Sequence, residues 1–309
     1  MADTAVQPAR VVTARAVTTA RRRRRVSLIP LLYVLPAFAV YLTVVIAPWV
    51  QSIWTSLWDW NGIGVARWVG IGNYADVLTE PALRGAVLNA FGFIIFYSVI
   101  PIALGLVLAA LVAATPWKAM PVIRTVLFLP QILPLVAVGV VWRWVYSERG
   151  PLNEALTAVG LGEITRPWLG DFDWAFPAVG FIGTWVCTGL CFLLLLAGIG
   201  KIDPALYEAA KLDGVGPVRE FWHITVPGLR QEIAVAATIT IIAALAGFDV
   251  VYVMTGGGPG YKTMVPGVQV YELVFTAGRV GTACALATVL SALTCAVMYL
   301  VNRIARERP

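Results

Sequence analysis

Few side chains in this 309-residue sequence could hold a metal ion or carry out covalent catalysis. Cys187 and Cys191 lie four residues apart in one apolar run, a spacing that brings two thiols to one face of a helix. No histidine or carboxylate lies in that run, so the pattern does not predict a metal site. His223, the only histidine, has no serine or cysteine nucleophile pattern around it. We therefore expect no catalytic residue and no metal site, and we expect all four cysteines to be small buried apolar residues.

Two glycine-containing segments invite comparison with a phosphate-binding loop. Residues 256–263 contain glycine, lysine and threonine, but that loop requires a glycine directly before the lysine, and here Tyr261 precedes Lys262. The other segment, Gly198 to Lys201, has Leu195 where the first glycine of the motif belongs. The sequence therefore predicts that this chain binds no cofactor and does not hydrolyse nucleotide itself.

The composition predicts an integral membrane protein. Apolar residues make up 59% of the chain and charged residues 13%, and the mean hydropathy is +0.80, whereas soluble domains are roughly 45–50% apolar. The apolar runs are continuous rather than alternating, which favours helices over a barrel. The net charge of +6 could suggest nucleic acid, but the basic run Arg21 to Arg25 abuts the first apolar run. We expect it to orient that span and to contact anionic lipid, with no nucleic-acid partner and no cleaved signal peptide.

Six apolar runs are long enough to cross a bilayer as helices. The fold class is therefore all-α integral membrane, with predicted spans at residues 28–50, 86–114, 123–146, 175–199, 233–254 and 280–301. These spans form a transmembrane domain, 26–303, between a disordered basic tail, 1–25, and a short tail, 304–309. Span three contains Pro130 and Pro134, which predict a kink tolerated inside a bundle.

The loops carry the signals that orient the spans. Tryptophans cluster just past span one, as aromatic side chains do at a membrane interface, at positions Trp49, Trp54, Trp58, Trp60 and Trp68. If both chain ends, the turn 115–124 and the loop 200–232 lie inside, the inside segments hold 16 Lys or Arg residues against 6 outside. This bias predicts a multi-pass protein of the bacterial cell (inner or plasma) membrane with both termini cytoplasmic.

The stretch from Asp203 to Gln231 is the one sizeable amphipathic segment, and it lies in the predicted cytoplasmic loop. Asp203 followed by Pro204 is a favourable helix start. Gly214 and Gly216 end that helix, and the proline that follows can open a second one. Glu208, Ala209 and Ala210 place a carboxylate beside two small side chains, which would let a partner surface approach the backbone closely.

This stretch resembles the cytoplasmic EAA signature of binding-protein-dependent ABC importer permeases. Glu208-Ala209-Ala210 is followed by Gly214 and then by Ile224-Thr225-Val226-Pro227, where Val226 replaces the usual leucine. The resemblance implies that the segment docks in a groove of an ATPase subunit. Glu208 would then pair with a basic or polar group of the ATPase, Ala209 and Ala210 would pack against it, and Gly214 would make the turn. Asp213 belongs to the same coupling set.

Three further segments are similar to carbohydrate permeases of the maltose/oligosaccharide type, namely Arg124 to Trp144, Phe248 to Gly260 and Gly278 to Leu290. The resemblance implies the type I ABC importer permease fold and alternating access. It also implies a sugar substrate, namely a di- or oligosaccharide, and a set of partners. These are a second homologous permease subunit, two ATPase subunits that bind ATP and magnesium, and an extracytoplasmic solute-binding protein.

Candidate substrate-binding residues lie within the predicted spans. Asp249 is the one carboxylate inside a span, where an unpaired charge costs at least about 2.5–3.5 kcal/mol. It could bind a sugar hydroxyl or fix a helix end. Trp185, Phe248 and Tyr252 could stack on sugar rings, and Gln131 could hydrogen-bond to them, although ordinary helix packing is the simpler explanation for each. Asn89 is predicted to form an interhelical hydrogen bond.

Other readings of the same features stay open. The amphipathic stretch could lie on lipid as an interfacial hairpin, but residues 200–232 carry four basic and five acidic side chains rather than a cationic face. A self-sufficient secondary transporter or channel would need a relay of ionisable residues, and only Asp249 and Arg143 lie away from the cytoplasmic ends of the predicted spans. A membrane enzyme would need a cluster of histidine, cysteine or carboxylate side chains.

Overall fold

The computed structural model describes residues 29–114 and 120–306, so the predicted tail 1–25 lies outside the described residues. The chain divides into two units, one ending at Pro48 and one beginning at Trp49. The α-helices are Ile29–Tyr41, Ala47–Thr55, Gly72–Thr79, Pro81–Ile94, Ile100–Ala114, Met120–Ile132, Leu135–Val145, Pro151–Ala158, Ala175–Ile199, Pro204–Leu212, Pro217–Glu220, Val226–Gly228, Arg230–Leu245, Asp249–Met254, Pro266–Phe275 and Val280–Arg306. The π-helical turns are Leu42–Ile46, Ile95–Val99 and Phe221–Thr225, and one 3-10 turn is Gly162–Ile164.

Among these helices, five are long and apolar enough to cross a membrane. They are Tyr33–Thr55, Pro81–Ala113, Ala175–Ile199, Arg230–Met254 and Val280–Ala305. A bent pair, Met120–Ile132 and Leu135–Val145, passes the same criteria of length and composition when it is taken together. We count the pair as span three and number the spans one to six in chain order.

Span three is broken rather than kinked, which corrects the predicted single helix over 123–146. The two helices meet at an angle of 97°. Pro134 has no N–H to continue the hydrogen-bond ladder, and a proline also disfavours the helical conformation of the preceding residue, Leu133. Pro130, by contrast, is accommodated inside the first helix and is buried there. The break therefore follows from the second proline, whose effect is larger than the predicted kink.

Span five, predicted over 233–254, is also interrupted. Arg230–Leu245 ends before a short break at residues 246–248, and Asp249–Met254 resumes the helix. At the break, a Cβ added to Gly267 would lie 3.2 Å from the Gly247 carbonyl oxygen. The segment that makes this close approach belongs to a helix that the sequence did not predict, Pro266–Phe275, which packs against span six.

Several boundaries differ from the predicted ones. Span one continues to Thr55 rather than residue 50, and span two begins at Pro81 rather than 86. The last helix runs to Arg306, so residues 304–306 are helical and not a tail. The all-helical prediction also missed a small antiparallel hairpin, in which Trp58–Asp59 pairs with Arg67–Trp68. Span four, Ala175–Ile199, has the predicted bounds.

Span four is the centre of the packed interior of the larger unit. Glycines let neighbouring helices approach it closely: a Cβ on Gly189 would lie 1.9 Å from the Leu127 carbonyl oxygen of span three, and one on Gly183 would lie 2.1 Å from the Tyr97 ring of span two. Tyr97 lies in the π-helical turn Ile95–Val99, where a wide turn leaves a backbone carbonyl without its usual partner. Close packing on glycine thus fixes the two spans that flank span four.

Candidate functional site

The loop between spans four and five, residues 200–232, forms the two short helices that the sequence predicts. Asp203 caps the first helix, because its Oδ1 accepts a hydrogen bond of 2.9 Å from the Ala205 backbone N–H. Pro204 begins that helix, which ends at Leu212. Gly214 follows with φ of +72°, a left-handed conformation that glycine adopts without steric cost. The helix that carries Glu208 is therefore fixed at both ends by local sequence.

The predicted coupling residues lie on this helix and at its end, but they do not all face outward. Glu208, Ala209, Asp213 and Gly214 are exposed. Ala210 is only 8% exposed and packs inside the chain itself. The expectation that both alanines contact a partner is therefore corrected in one respect: Ala209 is the alanine that the loop presents.

The first short helix is tied to the second, and both expose apolar side chains. The Tyr207 hydroxyl lies 3.2 Å from the Thr225 hydroxyl, a hydrogen bond that joins the two helices. Four large apolar side chains of this loop are more than half exposed: Leu206, Leu212, Val218 and Trp222. We name these four side chains and the exposed Glu208 carboxylate the loop surface. Large apolar side chains left exposed in one loop are typical of an interaction site.

Polar contacts attach the loop to the spans on either side of it. The Lys201 ammonium lies 2.9 Å from the Glu232 carboxylate, at the end of span four and the start of span five. Arg230 donates a hydrogen bond to the carbonyl oxygen of Ile304 near the end of span six. These two contacts connect the loop to spans four, five and six.

The candidate aromatic side chains for a solute site gather at the break in span five. The rings of Phe248 and Tyr252 stack with centroids 4.9 Å apart and an interplanar angle of 15°. Tyr271, which sequence reasoning missed, lies 5.2 Å from Tyr252 and 6.0 Å from Phe248. Phe275 continues the row, 4.9 Å from Tyr271. We name these four side chains the aromatic row.

Tyr271 belongs to the helix Pro266–Phe275, which explains why it was missed. Two signals in the sequence point to this helix: Pro266 at a favourable first helical position, and the aromatic pair Tyr271 and Phe275 at a spacing of four. Tyr252 is 41% exposed and Tyr271 38% exposed, so both rings keep a free surface.

Asp249 is the first residue of the short helix after the break, not a residue in the middle of a continuous span. It is half-buried, and within the described residues its carboxylate forms no hydrogen bond or ion pair. A carboxylate at a helix N-terminus is favourably placed relative to the helix dipole. The carboxylate also lies within electrostatic range of Tyr97 in span two. Both predicted roles, at a sugar hydroxyl or at a helix end, are compatible with this position and stay predictions.

Of the remaining predicted solute-site residues, Trp185 lies near the aromatic row and Gln131 does not. Trp185 is half-buried and packs edge-on against Trp142, with ring centroids 5.5 Å apart. It contacts the same buried cluster as Phe248. Gln131 is exposed on the first helix of span three, and no hydrogen bond in the described part of the chain links it to the other candidates. The structure thus brings Trp185 and Phe248 to one cluster and leaves Gln131 outside it.

The glycine-rich loop after span five is held by hydroxyl groups rather than open to a phosphate. Thr263 donates a hydrogen bond of 2.7 Å to the Gly258 carbonyl oxygen and lies 2.7 Å from the Thr255 hydroxyl. Asn89 donates to the backbone carbonyls of Tyr261 and Met264, so it joins span two to this loop rather than to another helix. The predicted interhelical hydrogen bond of Asn89 is therefore corrected to a contact between a helix and a loop.

The described residues contain no group of three or more histidine, cysteine or carboxylate side chains that could hold a metal ion. Cys187 and Cys191 are buried as expected. Cys284 is half-buried and Cys295 is exposed, so the expectation that all four are buried is wrong for these two. Both lie on span six, whose surface is less covered than that of span four.

An ion cluster lies at the face opposite the loop 200–232, which we name the far face. The Arg279 guanidinium, just before span six, binds Glu80 through hydrogen bonds of 2.6 and 3.0 Å and binds Asp76 through one of 3.2 Å. The hydrogen bonds with Glu80 raise the pKa of Arg279 above its ordinary value, against the opposing effect of burial. This cluster joins the start of span six to the residues just before span two.

Comparison with known proteins decides among the open classes. Residues 102–308 match the model of a family described as the binding-protein-dependent transport system inner membrane component. The chain belongs to this family. It is therefore a multi-pass membrane protein with the permease fold, and the predicted membership of the importer permeases is confirmed. The family is the membrane subunit of ABC transporters and is not enzymatic.

The permease has curated relatives over most of its length. It is 32% identical to the sulfoquinovosyl glycerol transport system permease protein SmoG of Agrobacterium fabrum, over 91% of this chain and 91% of that protein. It is also 32% identical to the diacetylchitobiose uptake system permease protein NgcF of Streptomyces coelicolor, over 86% of this chain and 80% of that protein.

A solved structure shares the fold. It is a bacterial alginate ABC transporter in complex with an alginate pentasaccharide-bound periplasmic protein, and one of its chains matches this permease with a TM-score of 0.76. The two chains are 21% identical, and the match covers 90% of this chain and 94% of that one. At this identity the comparison shows the fold alone.

Proposed function

We propose that this permease is the transmembrane subunit of an ATP-driven importer that moves a sugar, most simply a di- or oligosaccharide, across the membrane. Family membership carries the transport role. The sugar is supported by relatives at 32% identity whose names specify sulfoquinovosyl glycerol and diacetylchitobiose. Both solutes are glycosides with more than one polar ring or polyol unit, and this supports a saccharide site of comparable size.

The observation that carries the coupling mechanism is the outward position of Glu208 and Ala209 on a helix capped at both ends. A carboxylate next to a methyl side chain lets a partner backbone approach and then form a charge-assisted hydrogen bond. We propose that an ATPase subunit, which holds ATP and magnesium, docks on the loop surface. Ala210 supports this contact from behind, because it packs the helix onto its own chain.

The geometry of the loop suggests how closure of the ATPase would reach the solute. Because Lys201, Arg230 and Glu232 attach the loop to spans four, five and six, a push on the Glu208 helix would rotate these spans as a group. Rigid-body movement of packed helices is a recurrent mode of domain motion. In our proposal this rotation turns a solute site from one face of the membrane to the other.

For the solute site we propose the aromatic row, with Trp185 and Asp249 beside it. Apolar ring faces with a few polar groups are the usual composition of small-molecule sites. The exposed faces of Tyr252 and Tyr271 would stack on a sugar ring, and the unpaired Asp249 carboxylate would accept hydrogen bonds from its hydroxyl groups. Gln131 lies outside this cluster and remains a weaker part of the proposal.

The wider assembly is also a proposal. One chain of six spans would pair with a second homologous permease subunit, two ATPase subunits and an extracytoplasmic solute-binding protein, with membrane lipid around it. A periplasmic protein in complex with a transporter of the same fold supports the last partner. The far face, which carries the Arg279 cluster, would be the extracytoplasmic one, and the loop 200–232 would be cytoplasmic.

The test is a charge reversal on the loop surface. In the assembled complex, Glu208→Arg should greatly reduce both co-purification of the ATPase and uptake of the solute. The matched control is Glu163→Arg, which makes the same charge change on an exposed carboxylate between spans three and four. Normal co-purification and uptake in Glu208→Arg would refute the docking proposal.

The sugar assignment has a separate test. ATP hydrolysis by the complex, with its solute-binding protein, should rise with one or more saccharides in a panel of mono-, di- and oligosaccharides. If no saccharide stimulated hydrolysis while amino acids or another solute class did, the sugar assignment would be wrong and the transport role would stand.

A further inference from the structure

We propose that the hairpin after span one inserts its tip into the boundary between lipid headgroups and acyl chains. The tip comprises residues 61–66, between the strands Trp58–Asp59 and Arg67–Trp68. The inference requires only that the chain spans a membrane, and it is independent of the solute and of the ATPase contact proposed above.

The tip is an ordered turn that holds two apolar side chains outward. Asn61 Oδ1 accepts hydrogen bonds from the backbone N–H groups of Ile63 and Gly64, at 3.1 and 2.8 Å. The Trp60 indole N–H donates to the Gly64 carbonyl oxygen at 2.9 Å. With the backbone fixed in this way, the Ile63 side chain is 96% exposed and Val65 is 99% exposed. Two apolar side chains held outward in water would contribute no burial free energy, whereas in lipid they would be buried.

Contacts with span six set the level of the tip relative to the membrane. The Gly281 backbone N–H donates a hydrogen bond of 3.3 Å to the Trp60 carbonyl oxygen. A Cβ added to Gly62 would lie 3.4 Å from the Val280 side chain, so the tip packs beside the first residue of span six.

That first residue lies near the edge of the hydrocarbon core. At 1.5 Å per residue, the helix rises about 33 Å from Val280 to Asn302, where its polar end begins. The hydrocarbon core is about 30 Å thick. If the polar end is outside the core, Val280 is at the opposite boundary, next to the Arg279 cluster. The hairpin tip therefore lies at headgroup level on the far face.

Aromatic side chains at the same level support lipid as the occupant. Trp54, Trp58 and Trp68 form a cluster with ring centroids 5.0 to 5.9 Å apart, and Trp54 and Trp68 are more than half exposed. Tryptophan is enriched at membrane interfaces. Beside the cluster is an open cavity of about 330 Å³, lined by Gln51, Trp54, Thr55, Trp58, Trp60 and Ala66. Its rings, amide and hydroxyl suit the glycerol and headgroup region of a phospholipid.

A nitroxide depth measurement tests the proposal. Ile63→Cys and Val65→Cys would each be made in a chain that also carries Cys284→Ala and Cys295→Ala, since Cys187 and Cys191 are buried and shielded from the label. The full chain would be spin-labelled and placed in nanodiscs of phosphatidylethanolamine and phosphatidylglycerol. Accessibility to oxygen, which concentrates in lipid, would be compared with accessibility to a water-soluble nickel chelate. Glu163→Cys in the same background is the water-exposed control.

The proposal predicts that labels at 63 and 65 are more accessible to oxygen than to the nickel chelate, with the opposite order at 163. If labels at both tip positions favoured the nickel chelate, the tip would lie in water and the proposal would be wrong. If neither reagent reached them, a protein surface would cover the tip, and the lipid assignment would equally be overturned. Because both side chains are almost fully exposed, the substitutions should not disturb the fold.

Discussion

The Thr184 hydroxyl of span four donates a hydrogen bond of 2.7 Å to the carbonyl oxygen of Phe96, in the π-helical turn of span two. A π-turn leaves a carbonyl without its normal helical partner, and lipid offers no replacement. Thr184→Val, which keeps the shape and removes the hydroxyl, should therefore destabilise the protein by about 1 kcal/mol. The measurement is the thermal unfolding midpoint of the purified permease in nanodiscs.

Thr188→Val is the matched control for that substitution. Thr188 lies one turn further along the same helix, and its hydroxyl donates to the Thr184 carbonyl oxygen of its own helix. Without the Thr188 hydroxyl, the Thr184 carbonyl oxygen can still accept a backbone hydrogen bond from its own helix. The loss of stability should therefore be smaller than in Thr184→Val. Equal losses in the two variants would show that the Phe96 carbonyl does not depend on Thr184.

A second prediction concerns the contact between spans three and four. Gly189→Ala would place a Cβ 1.9 Å from the Leu127 carbonyl oxygen, which is backbone and cannot move aside as a flexible side chain can. We expect a loss of stability of about 2–3 kcal/mol or a sharp drop in the yield of folded protein. Gly85→Ala is the control, because a Cβ there has no neighbour within 4 Å and alanine favours a helix. Unchanged stability of Gly189→Ala would mean that the two spans are not packed this closely.

The sequence predicts six apolar runs because length and apolar character decide them, and the structure has five helices and one bent pair that meet the same criteria. The helix Ala175–Ile199 coincides with the predicted range of span four. The breaks in spans three and five were not predicted. Periodicity does not distinguish a long apolar helix from two shorter ones that meet at an angle. In span three the break lies at Pro134, whose effect is larger than the predicted kink. In span five the break is accompanied by the close packing of Gly267 against the Gly247 carbonyl oxygen, a contact between residues distant from the local pattern.

In the candidate site, too, features set by neighbouring residues in the sequence could be predicted, and contacts between distant parts of the chain could not. Asp203, Pro204 and Gly214 act on their own helix, so its caps could be predicted from neighbours in the sequence. The burial of Ala210 depends on what packs against it from elsewhere in the chain. Tyr271 joins Phe248 and Tyr252 only because a separate helix folds back on the break, and no short pattern in the sequence encodes that contact.

A third prediction concerns the Arg279 cluster on the far face. Arg279→Met keeps the length of the side chain but leaves Asp76 and Glu80 without their cation, and should cost about 1 kcal/mol after allowance for screening of these partly exposed groups. The loss should shrink in about 1 M salt, where surface charges are screened. Arg67→Met is the control, because the exposed Arg67 has no ion pair in the described part of the chain.

The same cluster has a defined dependence on pH. The raised pKa of Arg279 means that its contribution to stability is fully present below the ordinary arginine pKa and is lost only as the pH rises through the raised one. The arginine therefore stays charged across the neutral range. Unfolding midpoints of wild type and Arg279→Met should differ by a constant amount between about pH 6 and about pH 9. A difference that vanished within that range would contradict the ion-cluster interpretation.

The last prediction tests whether the aromatic row binds the solute. Tyr271→Ala removes a ring that is 38% exposed and contacts both Phe248 and Tyr252, so a sugar stacked there would lose one face of its site. An aromatic contact contributes about 0.5–1.5 kcal/mol, which corresponds to a rise of up to about tenfold in the concentration of saccharide that half-stimulates ATP hydrolysis. Tyr271→Phe should retain most of the affinity, because it keeps the ring. Tyr299→Ala, an exposed tyrosine of span six, is the matched control. If Tyr271→Ala and Tyr299→Ala behaved alike, the row would be helix packing and the solute would bind elsewhere along the spans.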